Sequence, residues 1–490
     1  MNDDLRVPVV VGAGAVTCHA EDPEEVPDPV GLMAQALDEA AEDAGAPALL
    51  EQADMIWTPR GFWRDPDPGR LLAERFGASR ARTGIAEIGV LQTTLLGRAA
   101  QALAEGESEV VLIVGGETRD RDARLARLGK KAPMTPRPAG RPDRVLEPRA
   151  EIMGRHEIEL GLIAPVTQYA MIENALRFAE NRSIEAHRAE LGRLWGDLNR
   201  VAVDNPRAWN RTPIRPEEIA KESVSNRMLS FPYTKSLVSQ WNVNQAGALV
   251  LCTLGKARSL GLDETRFVYP LAVVDSESML TLSERREVHR SPGFRLAAER
   301  AFSHVGGTAA EVDHLELYSC FPAAVRVQQR ELRIAADRRV TQTGGMAFAG
   351  GPLNNFVLQG WAEMVGTLRR RPGSRGLVTA VSGLMTKQGV SVLGTEPGDV
   401  FLFDGVTEAT RAAQATIAVE PGAEGSARVA SYTVIHERDE TPKVALLFDF
   451  DEHRRTLRVV GDRDLAEEAE RVEFCGREAV LGPEERIRWR

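Results

Sequence analysis

Tyr318 and Cys320 stand two residues apart in the segment HLELYSCFPAAV, residues 314–325. Both can give or take a proton. While a strand persists through them, alternation points both side chains to the same side. Cys320 ends its strand at a Ser-Cys-Phe-Pro turn, and Ser319 between the two completes the candidate catalytic set. Cys252 within an apolar run and Cys475 near the end read instead as buried small hydrophobes. A second segment, TGGMAFAGGPLNN (343–355), brackets MAFA with Gly344, Gly345, Gly350 and Gly351, then runs through Pro352 and Asn354 into a predicted helix. Glycines there let backbone amides approach a ligand, and a helix N-terminus favours developing negative charge. A purely structural glycine turn is the alternative reading of the same residues.

Other familiar chemistries fail on spacing. Gly12-Ala13-Gly14 starts like a dinucleotide fingerprint, but residue 17 is Thr where the third glycine belongs, so a tight strand-to-loop turn is the expectation. His156-Glu157 does not continue to HExxH, and the chain contains no P-loop and no GxSxG elbow. Residues 119–149 hold ten Arg or Lys against four Asp or Glu, with five prolines. This predicts an irregular basic excursion, a solvated segment or a landing place for phosphates.

The elements that must position these residues follow an α/β rhythm. VPVVVGAGAV (7–16), ADMIW (53–57), TGIAEIG (83–89) and EVVLIVGG (109–116) read as strands. Between them lie a helix capped by Asp28, begun by Pro29 and stopped at Gly45, and a second over Leu95–Gly106. The rhythm breaks after Gly116 and returns at GALVLCTL (247–254), which predicts an insertion over 118–242. A second series follows: strands at 267–275, 312–319 and 375–383, with helices at 291–306 and Leu353–Arg371. The matching helix–turn–strand steps of the two series suggest duplication. From about residue 408 short alternating strands predict a small β-rich, OB-like domain. The expected domains are 1–117 with 243–265, 118–242, 266–407 and 408–490.

A net charge of −10 over 490 residues argues against a general nucleic-acid binder. No apolar run reaches the ~18–20 residues of a membrane span, and MNDDLRVPVV has no apolar signal core. Four cysteines without a CxxC pair predict neither a disulfide framework nor a metal site, and a reducing cytoplasm fits.

Together the duplicated halves, the insertion after EVVLIVGGE, VNQAGALVLCTLGKARSLGL, FPYTK (231–235), LYSCFPAAV and AGGPLNN resemble the thiolase superfamily. Within it, the pattern is similar to the type 1 thiolase-like proteins, often labelled acetyl-CoA acetyltransferases, which carry an added C-terminal domain. The resemblance covers roughly residues 5–400. It implies two αβα halves stacked as five layers, αβαβα, with an inserted loop domain and a coenzyme A thioester bound between the halves and the insertion. No covalently bound cofactor is implied. The resemblance places the thioester near Gly350, Gly351, Asn354 and Gly383, with Arg227 and Lys235 toward the nucleotide. The family's nucleophilic cysteine falls on Gly89, the histidine of its GHP loop on Gly351 and the cysteine of its CxG loop on Val381. Tyr318 stands where the NEAF or HDCF loop has Asn or His, and Cys320 matches the HDCF cysteine, regarded in sterol-carrier-type thiolases as the acid/base. Loss of a nucleophile costs on the order of 10⁶ in kcat, and loss of acid–base help about 10²–10⁴ more, so acyl-enzyme thiolysis is not expected. Two readings remain. One is an acyl-CoA enzyme running enolate, proton-transfer or retro-aldol chemistry without a covalent step. The other is a non-catalytic thioester binder, with the C-terminal domain docking a partner protein. Either a monomer or a homodimer fits.

Overall fold

The computed structural model describes residues 3–135, 140–149, 152–438, 440–483 and 486–490. Pro8–Thr17 is a buried strand, and the following helix Pro29–Asp43 begins as the sequence predicts: the Asp28 carboxylate accepts from the Gly31 amide at 2.8 Å. Gly12 and Gly14 lie inside this continuous strand, not at a turn. A Cβ on Gly12 would stand 2.0 Å from the Ala40 carbonyl oxygen and one on Gly14 2.2 Å from that of Ala36, so the pair exists to let the helix close on the strand.

The strand joins a six-stranded mixed sheet in the order Pro8–Thr17, Asn244–Thr253, Val110–Thr118, Met55–Pro59, Arg82–Ala86, Arg144–Leu146. A second sheet runs His314–Glu316, Arg375–Ser382, Lys387–Gly394, Tyr269–Ser276, Leu402–Gly405. Helices Gln92–Ala104 and Phe356–Arg369 pack between the two sheets. One apolar core takes Leu95 and Leu96 from the first, Trp361 and Val365 from the second, and Leu249, Ile113, Val273 and Val378 from the sheets. With Pro29–Asp43 against the first sheet and Pro292–Val305 against the second, the layering is the predicted αβαβα.

The basic stretch 119–149 is not wholly irregular. It forms the helix Arg119–Arg127 and an edge strand, Arg144–Leu146, parallel to Arg82–Ala86; residues 136–139 lie outside the described residues. The strand predicted at 312–319 stops at Glu316, and a strand not predicted, Lys387–Gly394, pairs antiparallel with Arg375–Ser382.

Beyond residue 417 the β-rich region forms one sheet from Ala418–Val419, Arg454–Gly461, Lys443–Asp449, Gly425–Ile435, Glu478–Leu481 and Ile487–Trp489. This sheet also takes Met228–Ser230 of the insertion, through Ile435 against Ser230, and that strand pairs with Tyr233–Thr234. Insertion helix Pro165–Ala179 lies on it: Asn174 donates to the Tyr432 carbonyl at 2.9 Å, and Arg177 pairs with Glu473. The boundary expected at 407/408 falls within the helix Thr407–Ala413, whose Thr410 hydroxyl is hydrogen-bonded to Ser276 of the second half.

Candidate functional site

Tyr318 and Cys320 come together at the carboxyl end of the second sheet. The Tyr318 amide donates to the Thr379 hydroxyl at 2.8 Å, and its ring meets Phe356 edge-on at 6.0 Å. Cys320 is 8% exposed. The third member of the group comes from the insertion. Tyr169 stacks on Phe321 at 4.5 Å, lies within interaction range of the Cys320 thiol, and directs its hydroxyl to the Gly383 carbonyl at 3.4 Å. Burial raises all three pKa values and so weakens all three acids: the Cys320 thiol is pushed up to about 12, and the Tyr169 and Tyr318 phenols lie above their ordinary value, each raised further by Cys320. At neutral pH the group therefore consists of protonated donors, not bases.

Ser319 does not share that role. Its hydroxyl accepts from the Met346 amide at 3.1 Å, which ties the YSCF turn to the glycine loop. The loop's amides are likewise spent internally: Gly344 on the Thr341 hydroxyl, Gly345 on that of Thr343 and Gly351 on the Gln240 carbonyl at 2.8 Å. Gly351 thus has no free amide for an anion, contrary to the expectation for that loop. At Gly350, with φ of 106°, an added Cβ would meet Gln245 Oε1 at 2.1 Å, so this glycine admits the Gln245 side chain. Asn354 accepts from Gln92 at 2.8 Å and donates to the Arg60 carbonyl, which holds the first half instead of a ligand. Glu316 organises the whole loop, accepting from the Thr341 and Thr343 hydroxyls and from the Gln342 and Thr343 amides. Burial nevertheless raises its pKa to about 7.

Arg227 donates through Nη1 to the Met228 carbonyl and to that of His436 in the C-terminal region. Lys235 is exposed at the turn that leads to Ser239 and Gln240. Ser239 donates its amide to the Cys320 carbonyl, and Gln240 donates to the Met346 carbonyl, so this segment stitches the two loops together. Several cations of the basic stretch are occupied as well: Arg119 lies 3.8 Å over the Trp241 ring, Arg124 donates to the Ala20 carbonyl and Lys130 pairs with Glu24.

The two halves meet where a residue that the sequence did not flag, Lys387 of the second, reaches Gly89 of the first. The Lys387 side chain is fully buried, and its Nζ donates to the Gly89 carbonyl at 2.5 Å. Pro148 lies over Gly89 and Ile152 over Gly383, on either side of two residues outside the described set. Arg285, also missed, donates to the Leu280 and Leu384 carbonyls and sits beside Tyr169.

Comparison with known proteins agrees with this architecture. No family model matches the chain. Among solved structures, a monomeric SCP2-thiolase like protein type 1 from Mycobacterium smegmatis superposes with a TM-score of 0.83 at 28% identity, covering 99% of both chains. The chain thus has the fold of the thiolases and SCP2-thiolase-like proteins. The Ltp2-ChsH2(DUF35) aldolase shares the fold, with a TM-score of 0.60 at 18% identity over 80% of this chain and 99% of that one. An acetyl-CoA acetyltransferase from Methanothermobacter thermautotrophicus is 26% identical over 200 residues, 37% of this chain; the chain thus spans half the length of that curated relative. The YSCF turn follows the end of His314–Glu316, and the carboxyl ends of strands are where α/β folds place ligands.

Proposed function

We propose that this thiolase-fold chain acts on acyl-CoA thioesters without an acyl-enzyme, by proton transfer and enolate stabilisation of the kind a retro-aldol cleavage needs. The observation that carries the reading is the meeting of Tyr169, Tyr318 and Cys320, with Tyr169 reaching the Gly383 carbonyl and with glycine at position 89 and valine at 381. A carbonyl oxygen placed among protonated phenols and a thiol is polarised, and negative charge that develops on it is held by donors already in place. Cys320 fits as the acid that returns a proton to carbon; its high pKa argues against the role of resting base. Lys235, exposed on the insertion, fits the nucleotide end better than Arg227 does.

Pro148 over Gly89 and Ile152 over Gly383 favour the second reading, a thioester binder without turnover that docks a partner through the C-terminal sheet. Deuterium exchange at C2 of acyl-CoAs in heavy water separates the two. Exchange above background supports the enzyme. Thermal stabilisation by an acyl-CoA with no exchange supports the binder.

A further inference from the structure

One buried polar cluster ties the insertion to the turn that carries Cys320. Glu173 and Tyr233 at its centre are both fully buried. Glu173 lies one turn beyond Tyr169 on the helix Pro165–Ala179, so the two side chains leave the same face. Its Oε2 accepts from the Tyr233 phenol at 2.7 Å and its Oε1 from Arg326 at 2.7 Å, with His187 Nε2 3.0 Å away. The Tyr233 oxygen in turn accepts from the Ala323 amide at 3.1 Å. That amide belongs to the first turn of the helix Pro322–Leu332, where no carbonyl of the helix can receive it. Arg326 stands nearly one turn further along the same helix, so a single carboxylate holds this helix at both places. The rings agree with the hydrogen bonds: Tyr169 and Tyr233 both stack on Phe321, with centroids 4.5 and 5.8 Å away.

These links close a ring. Tyr169 leads along its helix to Glu173, across to Tyr233, on to Ala323 and back through Phe321 to Cys320. We infer that Glu173 and Tyr233 are positioning residues, which set the separation between the Tyr169 phenol and the Cys320 thiol where the insertion meets the second half. This rests on the donor reading above, and it gives FPYTK a task, since its tyrosine is the middle link. Burial raises the Glu173 pKa, yet Arg326, His187 and Tyr233 outweigh it and hold the carboxyl at about 2. The group is thus a fixed acceptor at neutral pH and not a proton carrier. Donors stabilise developing charge only while their geometry is held, and a displacement of ~1 Å can cost about 10²-fold in rate.

The infrared S–H stretching band of Cys320, isolated by subtracting the spectrum of Cys320→Ser, reads the surroundings of the thiol without any substrate. Tyr169→Phe gives the frequency of the thiol without its phenol neighbour. Tyr233→Phe keeps the ring on Phe321 and removes only the link, so its band is expected to shift toward that of Tyr169→Phe. C2 deuterium exchange of acyl-CoA by the same variant should fall about 10²-fold, while the thermal shift that acyl-CoA produces stays unchanged. Glu173→Gln leaves one acceptor oxygen for Tyr233 and Arg326, which use both in the wild type, and should act in the same direction. It carries the test if Tyr233→Phe does not fold. Ser431→Ala, which removes a buried hydrogen bond to the Met171 carbonyl of the same insertion helix, should lower stability and move neither band nor exchange. A band that stays in place in the folded link variants overturns the inference, whatever the exchange does. So does a band that moves while exchange keeps its wild-type rate, because the link then positions nothing that the reaction uses. A wild type without C2 exchange overturns the enolate reading alone, and the band still decides whether the pair sets the geometry.

Discussion

At the scale of single residues, the site is a set of acids whose protons are held firmly. Tyr318→Phe removes one donor and leaves the ring against Phe356, so acyl-CoA should still raise the melting temperature while C2 deuterium exchange falls to background. Incubation with acetyl-CoA should leave the intact mass unchanged, since the Cys320 thiol, pushed up to about 12, holds almost no thiolate at neutral pH. An acetyl adduct on Cys320 in the mass spectrum would contradict the non-covalent scheme. Tyr318 and Cys320 were legible in the sequence because both belong to one local turn. Tyr169, Arg285 and Lys387 were not: Tyr169 reaches Gly383 across 214 positions and Lys387 reaches Gly89 across 298, and no local pattern encodes such meetings. The glycine loop misled for the opposite reason. Its glycines are conspicuous, yet Gly350 and Gly351 accommodate Gln245 and Gln240 of the same chain.

At the scale of elements, Glu316 and the edge strand Arg144–Leu146 set conditions on the loops around them. Glu316→Gln turns an acceptor of four hydrogen bonds into a group that must present an N–H to donors, and should cost about 1–3 kcal/mol in chemical denaturation. The sign of its pH effect follows from a pKa raised from 4.5 to about 7. Between those values the folded state keeps a proton that the unfolded chain releases, so wild-type stability declines as pH rises through this window. The decline should be shallower in Glu316→Gln, which melting curves across that range will read. On the first sheet, Asp143 accepts from the Thr83 amide at 2.8 Å and from Arg70, fixing the short strand that covers the edge of Arg82–Ala86. Light scattering should find a monomer, and Asp143→Ala should free that edge and promote self-association. Elements with their own start and stop signals, such as the helix begun at Asp28 and Pro29, were readable in the sequence. The edge strand was not, because three residues, two of them exposed, carry no periodicity.

At the scale of the whole molecule, the C-terminal sheet is fastened to the rest by buried polar groups. Arg177 is almost fully buried against Glu473, whose carboxylate stays partly exposed, and Arg177→Met should cost about 1–3 kcal/mol in denaturant titrations. Truncation at residue 407 exposes the face of Pro165–Ala179 on which the sheet lies and should yield insoluble protein. Arg455 makes the third attachment. Fully buried and paired with Asp449, it donates to the backbone carbonyls of Ser283, Arg285 and Arg286. The polypeptide that presents the Arg285 side chain to the turn at Gly383 is therefore gripped from behind by the C-terminal sheet. Whatever narrows the motion of that stretch from one side is felt on the other, and linkage makes the influence equal in both directions, typically about 1–3 kcal/mol. A thioester seated at the turn should slow amide hydrogen exchange in Lys443–Asp449 and Arg454–Gly461, and a protein that grips those strands should alter thioester affinity by the same factor. The appended sheet would then report on the occupancy of the site through that stretch.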